Sequence, residues 1–214
     1  MGKRIALLGA LAAVLSILIV DSASGSRFSI NGRTFRTVFA PLNISPNFWP
    51  VSCEMTLDSS FHSSTIVKTR GALLGWVNAA RIRRPCEGNG NAWFLNGSEQ
   101  QDLNVIASTL PWHIRFDSFT GTLPTITSVR LQIIGIAILV RVVFDCLYQS
   151  TVERPAYLIF DLDATGTVIN TRFDRSSAIP KKSGGAFCPA TGEGEGTGTS
   201  RLTPTEVPAV IRLI

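Results

Sequence analysis

Beyond residue 25 the chain consists of short runs rich in Val, Ile, Thr and Phe, each ended by a cluster of Gly, Pro, Asn or Ser. Apolar and polar residues alternate within the runs, and that period of two sends successive side chains to opposite faces of a strand. Helical spacing is nearly absent. "RFSINGRTFRTVFA" places Asn31-Gly32 between two alternating runs, the signal of a two-residue hairpin. "SSFHSSTIVKTRGALLGWVNAARI" reads as two strands broken near Gly71, and "AWFLNGSE" as a short strand ending at Asn96-Gly97. "WHIRFDSFTG" sets Trp112, Ile114 and Phe116 on one face. "YLIFDLD" and "TVINTRF" flank a tight turn, and "VPAVIRLI" supplies a last strand. Ten or more such strands predict an all-β fold, an antiparallel β-sandwich or small β-barrel, in one domain over 26–214.

Two stretches depart from simple alternation. "LQIIGIAILVRVVF", residues 131–144, is apolar on both faces and predicts a central strand buried on two sides; a self-association edge is the competing reading. "GEGEGTGTS", residues 192–200, has Gly at every second position. If extended, one of its faces is bare backbone that a ring or another strand can approach; otherwise it is a flexible loop.

Residues 1–25 form a separate segment. "MGKR" is basic, the run Ile5–Val20 has 16 apolar or small residues, and "DSASGS" offers small residues for signal-peptidase cleavage. Sixteen is short of the ~20 residues that span a bilayer. The segment is therefore read as a cleaved signal helix, with membrane contact through it only if it is retained. Export makes two disulfides the default for Cys53, Cys86, Cys146 and Cys188. Sequential pairing, Cys53–Cys86 and Cys146–Cys188, would close loops of roughly 30 to 45 residues, each stabilising by about 3–4 kcal/mol in the chain-entropy model. Zinc fails on spacing, since no two cysteines are close and His62 and His113 are not a ligand pair. The net charge of +5 does not by itself indicate nucleic acid. It permits attraction to anionic surfaces.

"DLDATGTVINTR", residues 161–172, opens like a calcium loop with Asp161, Asp163, Thr165 and Gly166. Its twelfth position, where such a loop needs a bidentate Glu, is Arg172. A type I turn starting at Asp163, with Gly166 in a left-handed bulge position, explains the same residues; Asp161 and Asp163 stay as weak metal candidates. Their spacing of about 7 Å also falls near that of a glycosidase carboxylate pair. The Gly-x-Ser-x-Gly elbow is missing, and His62 and His113 are the histidines open to general-base chemistry. Trp93, in the polar stretch "GNGNAWFLNGSE", is the leading candidate for stacking on a sugar, followed by Trp112 beside His113. Arg81 and Arg83 fall on one strand face, as an anion clamp or a solvated edge.

The stretches "FRTVFAPLNISPNFWPVSCEMTLDSSFHSSTI", "LPWHIRFDSFTGTLP" and "CLYQS" give the chain a resemblance to uncharacterised exported β-rich proteins of actinobacteria. That resemblance implies export and brings no activity, cofactor or catalytic residue. The expectation is a secreted or cell-surface protein without catalysis or cofactor, acting as a binding or envelope-associated module. Its partner would be cell-wall polysaccharide or another surface polymer. A secreted hydrolase of glycans or esters is the alternative.

Overall fold

The computed structural model describes residues 27–45, 50–88, 90–94, 109–141 and 143–214. Residues 1–25, read above as a signal helix, Trp49 and Asn96-Gly97 lie outside the described residues. None of those described is helical. The strands are β1 (Arg27–Ile30), β2 (Thr34–Ser45), β3 (Val51–Phe61), β4 (Thr65–Val67), β5 (Leu73–Gly88), β6 (Asn91–Phe94), β7 (Trp112–Thr122) and β8 (Thr125–Ile134). They continue with β9 (Ala137–Arg141), β10 (Asp145–Gln149), β11 (Ala156–Leu162), β12 (Val168–Phe173), β13 (Ile179–Ser183), β14 (Thr191–Leu202) and β15 (Ile211–Leu213).

The strand order β12-β11-β8-β7-β5-β3-β2-β14 returns to its start, because β14 also pairs with β12. Every ladder in this ring is antiparallel. Closure leaves the ring no free edge, which is barrel connectivity. The first part of β14 pairs instead with β13, and β10, β9 and β6 follow to make a flap. β6 comes back against β5, so the flap covers the ends of the long strands that the ring does not use. A small sheet, β15-β1-β4, packs on the ring through Phe28, whose ring centroid is 6.3 Å from that of Phe116 and 5.5 Å from that of Phe119.

Alternation explains the core. β3 and β11 alternate buried and half-exposed positions along their whole length. Inside the ring, Phe35 stacks between Phe61 at 5.0 Å and Phe160 at 5.7 Å. Each buried aromatic of this kind stabilises by about 1.5–3 kcal/mol through area alone. Where β14 closes the ring, Ser200 Oγ lies 2.6 Å from Thr37 Oγ1 and 2.8 Å from Thr171 Oγ1. All three side chains are buried and satisfy one another across three strands.

The structure joins Cys53 to Cys86 and Cys146 to Cys188. The first joins β3 to β5, two strands of the ring, at the ladder irregularity between Ser52 and Glu54; the second ties β10 to the segment after β13.

The Gly-rich stretch is an ordered strand. A Cβ on Gly192 would sit 3.0 Å from the Tyr148 ring, and one on Gly194 would sit 3.1 Å from the Phe173 ring. The bare face predicted from the sequence is the surface these two rings lie on.

Two expectations need correction. Asn31-Gly32 does not turn a hairpin: β1 pairs with β15 and β4, whereas β2 pairs with β14 and β3. The Asn31 side chain accepts a 2.7 Å hydrogen bond from the Val210 amide, and the Leu202 side chain comes within 2.8 Å of where a Gly32 Cβ would be. Long-range packing therefore outweighs the local turn preference. Residues 131–144 are also not one strand. Gly135, at φ +94°, breaks the run into the end of β8 in the ring and β9 in the flap. Leu131 to Ile134 and Ile136 to Val140 are all buried, so most of the run is core; among the described residues its far end reaches solvent, with Val143 and Phe144 exposed.

Candidate functional site

The 161–172 loop is closed by its own hydrogen bonds. Asp163 Oδ1 accepts from the Thr165 amide at 2.8 Å, the Thr165 hydroxyl at 2.7 Å and the Thr167 amide at 2.9 Å. The Thr165 hydroxyl and the Thr167 amide hold the Asp163 carboxyl below the usual carboxylate range. Gly166 has φ +82°, and its amide donates to the Asp163 carbonyl at 3.0 Å. Asp161 is held by Arg172 through two hydrogen bonds of 2.6 and 2.8 Å. The arginine at position twelve thus occupies the carboxylate a metal would need. Among the described residues no three His, Cys, Asp or Glu side chains cluster as a metal site. The same bonds explain why Asp161 and Asp163 do not form an acid–base pair: each is committed to its own neighbours.

Trp112 and His113, adjacent on β7, do not share a cleft. Trp93 stands on β6 opposite Leu139 of β9, and its side chain lies outside the described residues. Trp112 is fully buried and donates its Nε1 hydrogen to Thr109 Oγ1 at 2.8 Å. A ring with no face in solvent cannot stack on a sugar, which corrects the reading of Trp112. His113, next along β7, faces outward, half-buried against Trp76 at 4.6 Å between ring centres. His62 covers the other side of Trp76 at 5.1 Å. The sequence does not reveal this trio, because three strands must first adopt their register: Trp76 pairs with Ser60 on one side and His113 on the other.

A set of neighbouring concavities follows from irregular ladders. The register between β2 and β3 shifts between Phe39 and Leu42, and that between β2 and β14 shifts between Gly196 and Gly198. Two adjacent bulges bend the long strands where the ring gives way to the flap. Ala40 and Pro41 are exposed there and line both of two hollows, one on each side of β2. One, of about 430 Å³, runs toward Ser52, Glu54 and Arg83; the other, of about 610 Å³, runs toward Asn43, Arg172 and Arg175. A third hollow, of about 350 Å³, continues past Asn43 and Arg175 to Ser45 and Pro50. Together they make a waist groove around the outside of the molecule.

Two of the arginines that line the groove are held loosely. Arg83 donates to Glu54 at 3.2 Å, and Arg175 to Glu193 at 3.2 Å with Glu195 at 3.9 Å. Arg83 and Arg175 are mostly exposed, and pairs of this kind are worth about 0–1 kcal/mol. A ligand's hydroxyls can replace them at little cost. Arg83 therefore belongs to an ion pair and not to an anion clamp with Arg81. The hollows carry three arginines, Arg83, Arg172 and Arg175, against five carboxylates, Glu54, Glu87, Asp174, Glu193 and Glu195. That balance does not favour a polyanion.

Comparison of the chain with protein-family models, with curated proteins and with solved structures finds no match in any of the three.

Proposed function

We propose that this is a secreted or cell-surface, non-catalytic binding module that holds a neutral, hydroxyl-rich polymer, such as a cell-wall polysaccharide, along the waist groove. The groove itself carries the reading: it is long and open, and it alternates donors and acceptors with no positive excess. A polymer lying across Ala40 and Pro41 would meet Asn43 and Arg175 on one side and Ser52 and Glu54 on the other. Two disulfides suit an oxidising compartment. Together with the leader composition they support export.

Retention of the full chain on insoluble cell-wall polysaccharide tests the proposal. Asn43→Ala with Arg175→Ala is expected to lower retention about tenfold, equal to two lost hydrogen bonds of ordinary strength. Unchanged retention in that double variant, with loss in Trp93→Ala, would move the contact to β6. Release of new reducing ends during incubation would favour the hydrolase reading instead.

A further inference from the structure

The exposed apolar end of the flap has a different character from the groove. Val143 is 72% exposed, Phe187 70% and Phe144 42%. The two phenyl rings stack nearly parallel, 5.0 Å apart at 12°. They come from different segments, the turn between β9 and β10 and the stretch after β13, so the stack is a feature of tertiary structure. Cys146–Cys188 pins both segments, two residues beyond Phe144 and one beyond Phe187. Gly184 lets them close up: a Cβ there would lie 2.6 Å from Cys188 Sγ and 2.8 Å from the Asp145 carbonyl. The rings are thus presented on a cross-linked support, which lowers the ordering cost of docking.

Basic residues flank this knob. Lys181 donates its ammonium to the Cys188 carbonyl at 3.0 Å, and Lys182 beside it is exposed. "KKSGGAFCPA", residues 181–190, contains no carboxylate, and Asp145, at the start of β10, is paired with Arg141. Rigid aromatics above a cationic base match the boundary between anionic headgroups and acyl chains. A second copy of the chain is a poorer fit, because a stable interface needs roughly 800 Å² per partner and some 20 residues a side, far more than three side chains supply.

We infer that the Phe144–Phe187 knob, with Val143 and its lysine base, docks the protein onto an anionic lipid surface. This contact is separate from the groove and from the leader.

The test uses full-chain Phe187→Trp with vesicles of phosphatidylglycerol and phosphatidylcholine in equal parts, read by tryptophan emission and by quenching from brominated acyl chains. The leader is common to every sample, so the signal is the difference from the unsubstituted chain. The expected result is an added, blue-shifted component that bromine quenches. Phosphatidylcholine alone should weaken it, and adding Phe144→Ser should reduce vesicle quenching about tenfold, the loss of one largely buried ring. Val143→Trp provides a second reporter at the most exposed position should position 187 not tolerate indole. Emission that stays unshifted and unquenched at both reporters would overturn the inference. So would a shift that depends on protein concentration without lipid, with dimers in sedimentation, which would make a second copy the occupant.

Discussion

The ring and the flap are built from one set of long strands but held in different ways. The ring closes on its own hydrogen bonds and fills its interior with Phe35, Phe61 and Phe160, tied at the seam by Thr37, Thr171 and Ser200. The flap has shorter strands, a small apolar space between Tyr148, Phe173 and Ile179, and the Cys146–Cys188 disulfide, whereas Cys53–Cys86 joins two strands of the ring. The bulged waist between ring and flap is where backbone leaves the ladder and polar groups collect.

The largest test of this contrast is Phe160→Ala, which empties the ring centre. It should cost about 3–5 kcal/mol and lower the urea midpoint of the whole domain. Replacing Cys146 and Cys188 together by Ser should remove about 3–4 kcal/mol in the chain-entropy model. The loss should appear as local opening of β10 and β13 in hydrogen exchange before the ring unfolds. Ser200→Ala strands two buried threonine hydroxyls and should cost about 1–3 kcal/mol in denaturant melts, with ring closure as the element weakened.

Tyr148 sharpens the comparison through pH. Burial pushes its phenol up to about 12 from an ordinary 10.0, and among the described residues its hydroxyl has no hydrogen-bond partner. The unfolded chain gives up this proton first. The stabilisation is therefore complete below pH 10 and is lost as pH rises toward about 12. Tyr148→Phe should leave stability at neutral pH unchanged or slightly higher and should abolish that alkaline loss, read by melts across pH 9 to 12. The smallest effect belongs to Asp161→Asn. Its pair with Arg172 is half-exposed, so stability should fall by less than about 1 kcal/mol. Added calcium should leave the melting temperature of the parent and the variant alike.

Strand content was legible from alternation because a period of two follows from backbone geometry alone. The 163–166 turn was legible for a similar reason: Asp163 and Gly166 act within four residues. The Gly-rich stretch showed that something would pack on a bare face, though not that Tyr148 and Phe173 would do it. What the sequence hid depends on register and closure. Asn31-Gly32 carries hairpin chemistry, yet β1 and β2 part because Phe28 and Ile30 are needed in the small sheet. A single glycine, Gly135, splits one apolar run between two substructures. The His62–Trp76–His113 stack and the waist groove bring together residues far apart in the chain, and alternation cannot say which strands become neighbours.

Hydrogen exchange of the intact chain with and without reductant tests the division of labour most directly. The account predicts that reduction leaves β7, β8 and β11 protected while amides of β9, β10 and β13 exchange at least tenfold faster, the effect of losing more than about 1.4 kcal/mol of local stability. Equal loss of protection in ring and flap, or an unchanged flap, would contradict it.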